Sequence, residues 1–258
     1  MCVICHCVKP LERDEFDACF RSNKDGAGFG WHDAETGKNM YIKGFMDVDQ
    51  AWEAYQNVPV PHIAHFRLAS AGGVEALLTH PFIISPDSPL SLSWQGAEGM
   101  VFHNGTISDW KVMLFSLCSQ LGHMPEGSMS DTRFVAMAMA RMGEDALCFF
   151  TSSKFATIDM MGTITKYGSW EQNGDNWYTN SSYKRTAYSS SGHGVVVYGS
   201  EWDSYYQQGT MWKEDEKDRD FVPFSQRTCT NCRMYGGFKK KKHHCTEKGE
   251  LKDLHKCA

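Results

Sequence analysis

The sequence predicts an α+β fold built mainly on antiparallel strands, and three observations carry that prediction. Strand-like segments arrive as neighbours joined by short turns, as between Phe155 and Lys166 around Gly162. The two best helical segments, Asp109 to Leu121 and Asp131 to Met142, stand side by side in the middle of the chain. Strand and helix nowhere alternate regularly, as a parallel α/β sheet would require.

Taken in order, Val3 to Val8 reads as a buried first strand and Leu11 to Arg21 as a short helix. The Gly-rich run Lys24 to Trp31 is a turn entering a strand. Asp47 to Tyr55 has a helical pattern, with Asp47 or Asp49 as its cap. His62 to Ser70 is the next strand, ended by Gly72 and Gly73. Met100 to Phe102 is a strand running into the turn signal His103-Asn104-Gly105. Ser108 is placed to cap the helix Asp109 to Leu121, with Gly122 at its end. Ser130 is placed to cap Asp131 to Met142, with Gly143 closing it. Val195 to Tyr198 is a last apolar strand, after which the periodic pattern fails. The expected division is a catalytic-size domain over residues 1–200, a linker over 201–228 and a tail over 229–258.

The chain of 258 residues is 41% apolar and 13% aromatic, enough to build a real core. No stretch approaches ~20 apolar residues, so no membrane span is expected. The charged run after Val8 is no secretory signal, and the expected compartment is the cytoplasm. Ten cysteines are not spread like a disulfide framework: three crowd the first seven positions and four follow residue 228. In a reducing compartment they point to thiolate chemistry or metal binding. The net charge of −5 hides an asymmetry, because nine Lys/Arg face only three Asp/Glu from Arg227 onward. An acidic body with a basic tail suggests two parts with different jobs.

Four short segments suggest chemistry. Cys2 stands directly behind Met1; removal of Met1 leaves one residue holding both a thiol and an α-amine base. Taken alone, Cys2 reads first as a small buried cysteine. Arg67 interrupts the apolar run of its strand, and a buried guanidinium needs an anionic partner, which an internal ion pair also supplies. Asn104 and Gly105 at a strand end offer an amide NH₂ and a backbone N–H, the parts of an oxyanion hole or of an ordinary turn. Asp131 opens a helix, where the dipole favours an acid in any case. Alternation on the first strand puts Cys2, Ile4 and His6 on one face and Val3, Cys5 and Cys7 on the other. A metal clip at residues 2, 5, 6 and 7 competes for the same residues but leaves the Arg, Asn-Gly and Asp segments unexplained.

Six motifs occur in order: Cys2 behind Met1; Asn23 to Gly30; His65-x-Arg67-x-Ala69-Ser70-x-Gly72; His80-Pro81-Phe82; Phe102-His103-Asn104-Gly105-Thr106-Ile107; and Ser130-Asp131-Thr132. Together they resemble the glutaminase domain of class II glutamine amidotransferases, which are N-terminal-nucleophile hydrolases. The resemblance covers about residues 2 to 200, and Lys154-Phe155-Ala156 with Trp177 to Ser182 resemble the closing strands of small stand-alone members. It implies a four-layer αββα sandwich with two antiparallel sheets. It also implies hydrolysis of the glutamine side-chain amide to glutamate and ammonia through a Cys2 thioester. Cys2 matches the nucleophile, and Asn104 and Gly105 the oxyanion hole. Arg67 matches the ligand of the substrate α-carboxylate and Asp131 that of its α-ammonium, with Ser70 and His80 at further substrate-side positions. No cofactor is expected for that chemistry, and the ammonia acceptor is expected on a separate synthase. The sequence departs from the family pattern after the nucleophile, where many members carry Gly-Ile and this chain carries Val3-Ile4-Cys5-His6-Cys7.

In the tail, Cys229, Cys232, Cys245 and Cys257 are candidate ligands of a structural zinc. Lys239 to Lys242 beside Tyr235 and Phe238 are a candidate contact for nucleic acid or another acidic surface, or a solvated charge run. Two further functions remain open from sequence: an amidohydrolase of another γ-glutamyl compound, and a zinc-stabilised binding protein that is not an enzyme.

Overall fold

A computed structural model of the chain describes residues 2–187, 242–244 and 251–253. The chain divides into two units, Met1–Gly192 and His193–Ala258. In the second, the described part is a pair of antiparallel strands, Lys242–His244 and Leu251–Asp253. The strand expected at Val195 to Tyr198, the boundaries at 200 and 228, the four candidate zinc cysteines and the lysine run through Lys241 lie outside the described residues.

The first unit contains two antiparallel sheets. The larger is built from β1 (Val3–Cys7), β2 (Ala27–Asp33), β3 (Lys38–Phe45), β4 (His62–Phe66), β6 (Ser93–Gly96), β10 (Glu171–Asn173) and β11 (Asn176–Tyr178), in the order β10-β11-β1-β4-β2-β3-β6. The smaller holds β5 (Phe82–Ile83), β7 (Met100–Asn104), β8 (Lys154–Ile158) and β9 (Ile164–Tyr167), in the order β5-β7-β8-β9. Four α-helices accompany them: α1 (Arg13–Ser22), α2 (Val48–Tyr55), α3 (Trp110–Leu121) and α4 (Asp131–Met142). No described helix is long and apolar enough to cross a membrane.

Strand alternation decides what each face covers. Val3, Cys5 and Cys7 of β1 face the core formed with Phe16, Cys19 and Phe20 of α1 and Tyr55 of α2. Ile4 turns the other way and meets Met100, Phe102, Ala156 and Ile158 of the second sheet. Val101 and Phe155 point away from that interface, onto Leu114 and Leu117 of α3 and Phe134 and Val135 of α4. The proposed metal clip therefore has Cys2 and the Cys5/Cys7 pair on opposite faces, and among the described residues no group of three or more His, Cys, Asp or Glu is arranged to hold a metal.

Local chemistry explains the helix ends. Asp47 caps α2 by accepting from the Asp49 and Gln50 N–H groups, and Ser130 caps α4 by accepting from Arg133 N–H. Gly122 ends α3 in the left-handed conformation at φ 79°, where a side chain would be strained. The expected cap at Ser108 is not the one found: Asp109 occupies the N-cap of α3, with no side-chain cap bond. β3 has no signature in the sequence because its inward positions include polar Asn39 and Lys43. Asn39 reaches the Glu98 and Asp159 carbonyls at 3.0 and 2.7 Å, and Lys43 Nζ donates to the Pro81 carbonyl at 2.9 Å. Buried polar groups with partners satisfy the strand but erase the apolar alternation.

Candidate active site

The antiparallel register brings together residues far apart in sequence. Val3 pairs with Phe66 in β4 and Ala27 of β2 pairs with the same Phe66, so Cys2, Arg67 and Asp25 emerge at one end of the sheet. Asp25 Oδ2 accepts the Ala69 N–H at 2.8 Å and fixes the loop that follows Arg67. The C-terminal end of β7 supplies His103 and Asn104, and the N-terminus of α4 supplies Ser130, Asp131 and Thr132. The His80–Pro81 bond before β5 is cis, and the His80 backbone lies close against Gly28 of β2. Gly28 permits that approach, since a Cβ there would lie 2.0 Å from the His80 carbonyl oxygen.

These segments line one open-mouthed cavity. Cys2, Arg67, Ser70, His80, Gly105 and Asp131 all line it, joined by His103, Ser130 and Thr132. Asn104 does not line it. Its Nδ2 donates to Thr179 Oγ1 at 2.9 Å, and its Oδ1 is buried without a partner.

Cys2 is 7% exposed. Its Sγ accepts the Leu68 N–H at 3.3 Å and lies 3.4 Å from the Leu68 carbonyl. Burial pushes the thiol pKa up, while the Leu68 N–H and the nearby Arg67 charge work against that rise. A thiol so placed is protonated at neutral pH and needs a base before it attacks anything. The Cys2 carbonyl accepts from Asn180 Nδ2 at 2.8 Å, and Thr179 accepts the Ile4 N–H at 3.0 Å. The chain segment after β11 therefore holds the start of β1 from the far end of the domain.

Arg67 is 3% exposed, and burial depresses the pKa of its guanidinium, opposed by the thiolate form of Cys2 and by the carboxylates of Asp25, Asp131 and Glu75. Its Nη2 donates to the Ala71 carbonyl at 3.2 Å, and its Nη1 is buried with no partner. Leaving such a donor dry and unpaired is costly, so the cavity presents an anion-seeking group. Asp131 is the opposite charge. Its Oδ2 accepts the Ile107 N–H at 3.1 Å and its Oδ1 the Thr132 N–H at 2.8 Å. Ser70 Oγ accepts from Thr106 Oγ1 at 2.7 Å and ties the Arg67 loop to the segment after β7.

Neither the protein-family models nor the curated proteins contain a match to this chain. Among solved structures, the glutamine phosphoribosylpyrophosphate amidotransferase of B. subtilis, complexed with ADP and GMP, is 16% identical and superposes with a TM-score of 0.49 over 69% of this chain. The chain spans 41% of that protein's length.

The sequence motifs contained His65, His103 and Thr132 without assigning them a part. In the structure they form one buried cluster with His80, next to Asp131. Lys43 stands in no motif of the sequence. It is 3% exposed, its Nζ sits 4.2 Å over the Phe82 ring, and burial lowers its pKa to about 7. Arg133, which follows the Ser-Asp-Thr motif, is 2% exposed and spends its guanidinium on the carbonyls of Ser88, Glu126, Ser128 and Asp87. It braces the loops around α4 and does not line the cavity.

Proposed function

We propose that this chain hydrolyses the side-chain amide of glutamine, with Cys2 as the nucleophile. The observation that carries the reading is one cavity that holds a cysteine thiol, a buried guanidinium with an unpartnered Nη1 and a carboxylate. A free α-amino acid offers the complementary groups: a carboxylate for the Arg67 fork and an ammonium for Asp131. The amide at the end of its side chain is then the group left for Cys2. This is the arrangement that the motif resemblance to class II glutamine amidotransferases implies, and the αββα order of packed layers agrees with it.

The chemistry follows from the groups present. With Met1 removed, the α-amine of Cys2 takes the thiol proton, which the buried thiol does not release unaided. The sulfur bonds to the amide carbon, and the carbonyl oxygen becomes an oxyanion. Gly105 N–H at the cavity wall is one donor, and Asn104, whose NH₂ is turned to Thr179 and stands off the cavity wall, supplies the second on swinging toward the substrate; losing one such donor typically costs roughly 10²–10³ in rate. The α-ammonium returns the proton to the departing nitrogen, ammonia leaves, and a glutamyl thioester remains. Water attacks the thioester, releasing glutamate and restoring the thiol.

The test is glutamate release from glutamine, with mass spectrometry of the active protein. Activity is expected only in chains lacking Met1, and Cys2→Ala is expected to abolish it while leaving the fold intact. Full activity in protein that retains Met1 would exclude the α-amine as base, and unchanged activity in Cys2→Ala would exclude the nucleophile.

A further inference from the structure

Three imidazoles, two in the cavity wall and one behind it, are almost completely buried: His80 is 5%, His103 2% and His65 0% exposed. Water cannot meet their needs, so each proton must be allotted among protein atoms. Burial also holds all three below the ordinary imidazole range, His65 at about 3 and His103 at about 4, so each is neutral and carries one proton.

With every contact taken as a hydrogen bond, one assignment satisfies them all, the His65 Nε2–H being shared between two acceptors. His65 Nε2 lies 3.1 Å from the His103 carbonyl oxygen, which only accepts, so His65 carries its proton on Nε2. His80 Nδ1 lies 2.5 Å from that same Nε2 and must be bare. The proton of His80 is therefore on Nε2, which donates to Thr132 Oγ1 at 2.8 Å. Thr132 Oγ1 also touches His103 Nδ1 at 3.1 Å and Asp131 Oδ1 at 3.4 Å. The hydroxyl has one proton and two lone pairs. All three contacts are bonds only if His103 donates from Nδ1 and Thr132 donates to the carboxylate. His103 Nε2 then accepts from Ser153 Oγ at 2.9 Å. The buried His65 Nδ1 has no partner, as the assignment requires of an unprotonated nitrogen that meets nothing.

We propose that His80 and His103 are positioning residues for Asp131: held neutral and in opposite tautomers, both donate to the Thr132 hydroxyl and drive its single proton onto the carboxylate. Asp131 thereby gains a third donor beside the Thr132 and Ile107 N–H groups, and its carboxylate is fixed in place to meet a primary ammonium. Because the imidazoles are neutral, none of them becomes the counter-ion, although His103 Nδ1 lies only 3.8 Å from Asp131 Oδ2. Oriented dipoles hold the charge where a buried cation would cancel it. The inference rests on the glutamine reading for the identity of the ligand, but the proton arrangement itself does not.

The experiment therefore has two arms. Nitrogen-15 NMR of histidine-labelled protein at neutral pH reads the tautomers without substrate. His103 is expected as the Nδ1–H form and His65 and His80 as Nε2–H forms. His103 found as Nε2–H, or as an imidazolium, overturns the proposal whatever the site hydrolyses. The second arm compares glutamine with 4-carbamoylbutanoate, which is glutamine without its α-amine. Thr132→Val is expected to raise KM for glutamine by about tenfold or more, the usual loss for a hydrogen bond to a charged group, with kcat little changed. KM for 4-carbamoylbutanoate should stay as in the wild type, and Thr132→Ser, which keeps the hydroxyl, should restore glutamine binding. Equal losses on both substrates would make Thr132 a merely structural residue and overturn the proposal. Wild-type protein with the expected tautomers but no action on either amide would sink the glutaminase reading and leave the proton arrangement standing.

Discussion

Lowering the pH from 7 to 5 is expected to cost this domain about 4 kcal/mol through His65 and His103 alone, the sum of roughly 2 kcal/mol from each. In the folded chain burial lowers their pKa values from 6.5 to about 3 and about 4, so both stay neutral at pH 5. In the unfolded chain both titrate near 6.5 and are protonated there. The unfolded state thus binds more protons, and stability falls as pH falls below 6.5. From 6.5 to 5 is 1.5 pH units, worth about 2 kcal/mol for each group at 1.36 kcal/mol per unit. His80, also held well below 6.5 by burial, adds in the same direction. A domain of this size commonly has ~5–15 kcal/mol in all, so the loss is a large fraction. Urea unfolding at pH 7, 6 and 5 measures it, read as the change in extrapolated stability. His103→Asn removes one titrating group and should flatten the slope by about 2 kcal/mol over that interval. An unchanged slope in that variant would refute the reasoning, because it would mean that His103 is protonated equally in both states.

Arg67→Lys should weaken binding of substrates with a free α-carboxylate, since a lysine cannot reproduce the two-pronged fork, and Asp131→Asn should weaken binding of those with a free α-ammonium. Wild-type KM for glutamine in both variants would show that the pocket is assigned wrongly. Lys43 is neutral in the fold above about pH 7 but charged in the unfolded chain up to about 10.5, so wild-type stability should rise by about 2 kcal/mol between pH 7 and 9. Thermal unfolding of Lys43→Met should show that rise largely gone; a rise of the same size would mean another group causes it. In the basic tail, elemental analysis of the full chain should find one zinc per chain, lost when Cys229 and Cys232 are both replaced by serine. Metal-free protein of unchanged stability would remove the zinc assignment.

What the sequence by itself determined about this protein is local. Asp47 and Ser130 are legible as caps because a side chain reaching its own helix's N–H groups needs no distant partner. Gly122 is legible as a helix end for the same reason. The two faces of β1 follow from a period of two, which puts Val3, Cys5 and Cys7 opposite Ile4 whatever strand pairs beside them. Ordered motifs also marked Cys2, Arg67, Ser70, His80, Gly105 and Asp131, which the structure gathers round one cavity.

Tertiary structure alone decided the rest, because it depends on pairings between distant segments. Cys2 meets Arg67 only through the register of β1 on β4, and the start of β1 is held by Thr179 and Asn180 from the other end of the domain. Asn104 was legible as a strand-end amide, but the turn of its NH₂ toward Thr179 was not. β3 stayed hidden because Asn39 and Lys43 find their partners on Glu98, Asp159 and Pro81. The histidine chain is the extreme case. His65, His80, His103 and Thr132 come from four separate segments, and in a dry interior each proton's place depends on every neighbour at once. Local spacing encodes how the backbone bonds to itself; which buried polar atoms share a proton is set only when the chain closes.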